Sequence, residues 1–185
     1  NAISEVLFGD TNPSGKITAT FPAVTGQVPY YYNHKNTGRP MDPDQKYTSK
    51  YIDAPNEPLY PFGYGLSYTT FEYDNLTLDR TSISASDSLQ VSVDVTNTGD
   101  IAGEEVVQLY IRDLVGSVTR PVKELRGFDK VNLQPGETKR VNFTLTPDDL
   151  AMYDVDMNWV VEPGDFKVFV GRHSEDLLEA DFRVE

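Results

Sequence analysis

The residues beyond position 70 predict a two-sheet antiparallel β-sandwich, and three observations carry that expectation. Short runs that read as strands follow one another at close intervals: Phe71 to Leu78, Leu89 to Val95, Glu105 to Ile111, Val122 to Val131, Thr138 to Leu145, Asn158 to Val161, Phe166 to Val170 and Leu178 to Val184. One run alternates strictly. Leu89, Val91, Val93 and Val95 fall on one side and Gln90, Ser92 and Asp94 on the other, the period of two that a half-buried strand requires. Between the runs, Asn97-Thr-Gly-Asp100, Asn132-Leu-Gln-Pro-Gly136 and Glu162-Pro-Gly164 supply residues that tolerate positive φ or preset the turn. Seven or eight short strands joined in this way give a mostly β chain ending in a sandwich of the immunoglobulin or fibronectin type III-like kind.

The residues before position 70 follow a different pattern. Ala2, Ile3, Val6, Leu7 and Phe8 recur at helical spacing, and Gly9 with Asp-Thr-Asn-Pro-Ser-Gly stops the helix. Lys16-Ile-Thr-Ala-Thr-Phe-Pro22 reads as a short strand for which no neighbouring run offers a partner. Residues 1–22 are therefore expected to be a helix-strand remnant of an α/β domain. Residues 23–70, rich in Pro, Gly, Asn and Tyr and without a sustained period, are expected to be a long connector. Its tyrosines, from Tyr30 to Tyr64, call for a surface to pack on, expected to belong to the rest of that α/β domain. Residues 71–185 then form the sandwich.

Composition narrows the partners. Sixteen basic against 29 acidic residues give a net charge of −13, which repels phosphate backbones and anionic head groups, so neither nucleic acid nor a membrane surface is expected as a partner. With no cysteine, the sandwich rests on its hydrophobic core without disulfides. No window approaches the roughly 20 apolar residues of a membrane span. The opening Asn1-Ala2-Ile3-Ser4-Glu5 lacks a basic leader and an initiator Met, and is expected to be cut from a longer chain.

The string Leu59-Tyr-Pro-Phe-Gly-Tyr-Gly-Leu-Ser-Tyr-Thr-Thr-Phe71 resembles the signature that leads into the C-terminal fibronectin-like domain of family 3 glycoside hydrolases of the β-glucosidase type. Gly9-Asp-Thr-Asn-Pro-Ser-Gly-Lys16 with Phe21-Pro22, Val95-Thr-Asn-Thr-Gly99, Arg120-Pro-Val-Lys-Glu-Leu-Arg-Gly-Phe128 and Leu133-Gln-Pro-Gly-Glu-Thr138 agree in order and spacing. Tyr31-Tyr-Asn-His-Lys-Asn-Thr-Gly-Arg-Pro40 is similar to the periplasmic bacterial branch, which implies a periplasmic or secreted enzyme. The resemblance implies a retaining glucosidase whose two carboxylates sit roughly 5 to 5.5 Å apart. In the family these come from an N-terminal barrel and from the α/β-sandwich domain upstream of Asn1, so the resemblance places no catalytic residue in this chain and makes those N-terminal domains its partners. Within the signature, Pro61, Gly63 and Gly65 are expected to set a turn into the first strand, with Phe62, Tyr64 and Tyr68 plugging a junction.

The residues themselves carry no catalytic constellation. Glu104 with Glu105 and Asp148 with Asp149 are sequence neighbours, which strands send to opposite faces and turns expose to water. Asp154-Val-Asp-Met-Asn158 imitates the start of a calcium loop, but Trp159 stands where the sharp turn needs Gly, so a β-turn is expected. His34 and His173 are too far apart for zinc spacing. No metal and no cofactor is expected. The candidates for touching a sugar are Asn33, His34, Arg39 and Tyr47 in the connector, which offer hydrogen bonds and a stacking face. An independent carbohydrate-binding or adhesion module is the alternative reading. Its mark would be exposed aromatics, yet Tyr110, Tyr153 and Trp159 all stand in apolar strand contexts and are expected to be buried. The sequence neither supports nor excludes a homodimer.

Overall fold

The computed structural model describes residues 1–185 and shows a mostly β chain. After helix α1 (Ala2–Leu7) and a single 3₁₀ turn at Thr25–Gln27 come strands β1 (Phe71–Leu78), β2 (Ser82–Ile83), β3 (Leu89–Asn97), β4 (Gly103–Asp113), β5 (Glu124–Leu133) and β6 (Thr138–Leu145). Then follow α2 (Pro147–Leu150), β7 (Met152–Tyr153), β8 (Trp159–Val160), β9 (Gly164–His173) and β10 (Asp176–Val184). One sheet has the order β1-β3-β6 and the other β2-β10-β9-β4-β5, while β7 and β8 form a separate hairpin.

Alternation decides which faces meet. Leu89, Val91, Val93 and Val95 are fully buried, and across the core they join Val107, Leu109, Ile111, Phe166, Val168 and Val170 of the facing sheet. Such a two-sided apolar filling gives a sandwich without disulfides its cohesion, each fully buried aliphatic side chain contributing about 1.5–3 kcal/mol before entropy is charged against it.

β1 and β6 have the bounds that their patterns predict. β5 starts later than expected, at Glu124, because the Val122 amide donates to the His34 carbonyl at 2.9 Å. The run at Asn158 supplies only Trp159–Val160 and pairs with Met152–Tyr153 outside the sandwich. The two-residue β2, too short to show a period, runs parallel to β10.

The main correction concerns Lys16–Pro22, which has a partner after all. Ile17 N donates to Tyr64 O at 2.8 Å and Gly63 N to Ile17 O at 2.9 Å. Further along, Phe21 N donates to Tyr60 O and Leu59 N to Phe21 O, each at 2.8 Å. The partner is the signature segment itself, whose Pro61, Gly63 and Gly65 hide its extended character from a propensity reading. At one point the two backbones approach so closely that a Cβ on Gly65 would collide with the Gly15 carbonyl.

The signature then lies on the outer face of the five-stranded sheet. Gly63 is buried at φ 81°, a conformation that L side chains rarely adopt, and a Cβ there would collide with the Gln108 amide. Gln108 donates from Nε2 to Gly63 O (3.1 Å) and Arg172 O (2.7 Å) and accepts from the Tyr110 hydroxyl at 2.6 Å. Asn97 ties the other end of the segment. Its Oδ1 accepts from Thr69 Oγ1 (2.6 Å) and its Nδ2 donates to Ile101 O (2.8 Å) and Leu133 O (3.0 Å), so the connector, the β3–β4 turn and the end of β5 share one buried amide.

Gly63→Ala is expected to cost about 2–4 kcal/mol, from backbone strain plus displacement of the Gln108 amide from its partners. Gly136→Ala, at φ 74° but facing open space, should cost only about 1–2 kcal/mol. Urea unfolding of the two variants side by side measures the difference, and equal losses would show that the Gln108 contact contributes nothing.

Candidate functional site

Residues 37–50 form a loop held by its own polar groups. Ser49 N donates to Arg39 O at 2.9 Å, and Thr37 Oγ1 lies 3.1 Å from Ser49 Oγ. Asp42 organises the tip, its Oδ1 accepting from Asp44 N (2.9 Å) and its Oδ2 from Gln45 Nε2 (2.9 Å), while Thr48 Oγ1 accepts from Asp42 N at 3.2 Å. Such side-chain caps rigidify a stretch that has no sheet or helix partner. The loop encloses an open cleft of about 800 Å³ lined by Arg39, Pro40, Met41, Asp42, Tyr47 and Thr48 among others.

Of the four candidate sugar contacts, Arg39 and Tyr47 line this cleft, both exposed, with the Tyr47 ring 5.6 Å from the Lys46 ammonium. Asn33 and His34 do not line it. His34 stands where the connector meets the β4–β5 loop, its carbonyl bonded to Val122 N and its Nδ1 3.1 Å from Lys35 O, and Lys35 Nζ donates to Thr119 O at 2.7 Å.

The tyrosines divide. Tyr32 stacks on Phe62 with centroids 4.2 Å apart and meets Tyr110 edge-on at 5.8 Å, and Tyr60, Tyr64 and His173 form a second group. Tyr32 and Tyr64 therefore pack on this chain's own sandwich, where a surface of the α/β domain was expected. Burial holds the His173 imidazole below its ordinary value. Tyr31, Tyr47 and Tyr51 remain exposed, and Tyr60, at the edge of its group, is exposed to the same degree as Tyr51. Phe62 and Tyr64 do plug a junction, as the signature reading expects, whereas Tyr68 is half exposed and its hydroxyl reaches the Val6 carbonyl at 2.6 Å.

The acidic pairs are used in structure. Glu105 is buried between Lys16 Nζ (2.9 Å) and the Tyr73 hydroxyl (2.9 Å), joining the N-terminal segment to both sheets. Glu104 pairs with Lys130, and Asp149 caps α2 through Thr146. Asp154 closes a β-turn by accepting from the Asp156 and Asn158 amides, both at 2.9 Å. No group of three or more His, Asp or Glu side chains converges as a metal site would require. Of the three aromatics expected to be buried, Tyr110 is, but Tyr153 is 56% and Trp159 48% exposed. Their strand signals were real, yet the strands they form lie outside the sandwich.

Residues 1–68 match the profile of the glycosyl hydrolase family 3 C-terminal domain, and residues 105–174 that of the fibronectin type III-like domain. The chain belongs to glycoside hydrolase family 3. All of this family 3 chain aligns at 48% identity with a periplasmic β-glucosidase of Salmonella typhimurium, spanning 24% of that protein. It is also 48% identical, over its whole length, to a β-xylosidase of Formosa agariphila, spanning 25% of it. Among solved structures, the β-glucosidase of Listeria innocua in complex with glucose superposes with a TM-score of 0.93 at 48% identity, over 98% of this chain and 26% of that one. The chain thus spans about a quarter of the relatives it matches and corresponds to their C-terminal part.

Burial and the adjacent Glu105 push the Tyr73 phenol well above its ordinary value of 10.0. A folded-state pKa raised in this way means that stability is fully present below pH 10 and falls as the unfolded chain releases its proton above it. Tyr73→Phe is expected to flatten the decline in unfolding free energy above pH 10, with Tyr110 and Tyr30, likewise raised by burial, keeping part of the slope. An unchanged alkaline slope in denaturant titrations would remove this role.

Proposed function

We propose that the chain is the accessory C-terminal part of a β-glucosidase that removes terminal non-reducing β-D-glucosyl residues from oligosaccharides. The observation that carries this reading is the 48% identity to the periplasmic β-glucosidase over the whole of this chain. The chemistry is that of a retaining enzyme, with a nucleophilic carboxylate and an acid/base carboxylate roughly 5 to 5.5 Å apart, both outside this chain. In this reading residues 1–22 close the preceding α/β domain, 23–70 connect, and 71–185 form the fibronectin type III-like domain. N-terminal catalytic domains of the same polypeptide are the partners, and the compartment is the periplasm or the exterior of the cell.

Within that arrangement the connector loop extends toward the sugar site. Arg39 supplies a charged donor to substrate hydroxyls and Tyr47 a ring face, with Asn33 and His34 at the base of the same connector. The exposed apolar side chains Ile3 and Leu7 of α1 and Phe8 just past its end, none of them buried against the sandwich, suit packing on the catalytic domains. The Formosa β-xylosidase relative supports a second reading that differs only in the sugar removed.

The 185 residues alone are expected to leave an aryl β-glucoside untouched, and turnover by them would overturn the assignment. In the complete polypeptide, Arg39→Ala should raise KM for oligosaccharides about ten- to hundredfold, the loss of one charge-assisted hydrogen bond, with a smaller change in kcat. Tyr47→Ala should act in the same direction, and unchanged kinetics in both variants would take the connector out of the site.

A further inference from the structure

The β7–β8 hairpin is the one part of the sheet structure that serves neither sandwich sheet. Buried Leu150, Ala151 and Met152 pin its base to the core. Its turn is fixed internally: Asp154 N donates to Asn158 O at 3.0 Å and Asn158 Nδ2 to Asp154 Oδ2 at 3.2 Å, with Met157 at φ 64°. That geometry sets Tyr153 directly across from Trp159, ring centroids 4.8 Å apart and planes inclined by 55°. Asp148 Oδ1 accepts from the indole Nε1 at 3.4 Å and orients it. Two large rings are thus held in fixed orientation and half in water, although burying them would have been favourable.

The position separates this pair from the contacts that residues 12–16 and Phe62 make with the sandwich. Asn12, Ser14 and Lys16 meet the sandwich at the start of β4, and Phe62 O accepts from Ser174 N just past the end of β9. The hairpin instead feeds the beginning of β9, a strand length of about 30 Å from those contacts, at the end where the β4–β5 loop bonds Glu162 through Ser117 N and meets the connector at His34 and Lys35. Charge selects the occupant. Residues 146–163 contain Asp148, Asp149, Asp154, Asp156 and Glu162 and no Lys, Arg or His. Asp148 Oδ2 and the Asp156 carboxylate accept no hydrogen bond within the chain. Aromatic faces beside free carboxylate acceptors and without a cation match a neutral polyhydroxylated ligand, whose C–H faces stack while its hydroxyls donate. The same carboxylates repel phosphate, uronate and acidic lipid. Rings inclined at 55° cannot both lie flat on a planar crystalline surface, so the ligand is a single soluble chain whose successive sugars can turn.

We propose that Tyr153 and Trp159 form a stacking platform for a neutral oligosaccharide, separate from the connector cleft. Trp159 is the only tryptophan, so its fluorescence reports on the platform directly. Titrating the 185-residue chain with cellotetraose or laminaritetraose should give a saturable spectral shift, and polygalacturonate should give none. Tyr153→Ala should weaken the apparent affinity about tenfold, the contribution of one aromatic face. Tyr153→Leu keeps the apolar bulk without the flat ring and should weaken it likewise should the alanine variant lose its fold. Absence of any shift with the neutral sugars, an equal response to polygalacturonate, or an affinity unchanged in the leucine variant would overturn the proposal. So would sedimentation showing a dimer that Trp159→Ser dissociates, because the rings would then serve a second copy of the chain.

Discussion

The arrangement of the first 70 residues depends on how one buried amide is satisfied. Gln108 faces outward from the five-stranded sheet, where a polar side chain would normally meet water, and is buried because the signature segment covers it. A buried amide left unpaired costs about 1–3 kcal/mol, so covering Gln108 stabilises the fold only with partners in place. Gly63 O, Arg172 O and the Tyr110 hydroxyl supply them, and only a glycine at position 63 lets the backbone come close enough. Once Gly63 is fixed, the stacking of Phe62 on Tyr32 and the ladder from Tyr60 to Tyr64 along Ile17 to Phe21 follow. Helix α1, which buries nothing, has its place through this chain of contacts.

A second tie strengthens the first. The Lys16–Glu105–Tyr73 group joins the N-terminal segment, the inner end of β4 and β1 through a charge pair taken largely out of water. Removing one member of such a pair strands the other charge, at about 3–5 kcal/mol, although the intact pair contributes far less. It works as a device of register: Glu105 accepts a cation only when Lys16 arrives along the path that the Gly15–Gly65 contact allows.

Much of the sandwich was legible because its signals are local. β3 announces its buried face through four alternating aliphatic residues, and β1 and β6 end where their patterns end. What the sequence hid was long-range or concerned covering. Lys16–Pro22 lacked a visible partner because that partner lies some 40 residues on, in a segment whose Pro and Gly read as loop. Tyr153 and Trp159 were expected to be buried because a strand pattern states which side a residue faces but not whether another layer covers that side. Of the connector candidates, separation along the chain gave no warning that Arg39 and Tyr47 share a cleft that Asn33 and His34 do not line. Loop folding of that kind is decided by Asp42, Thr48 and Ser49, whose hydrogen bonds leave no periodic trace.

The pairing of Phe21 with Tyr60 has a consequence for how the molecule can vary. The two ends of the intervening stretch are clamped side by side, and Tyr32, His34 and Lys35 fasten its first part to the sandwich, so the free excursion is the loop of residues 37–50, closed where Ser49 N meets Arg39 O. The entropy of closing such a loop grows only with the logarithm of its length, about 0.6 kcal/mol per doubling. Residues can therefore be inserted, deleted or exchanged around Arg39 and Tyr47 with little penalty to the sandwich beneath. A surface of this kind can diverge rapidly while its foundation stays still.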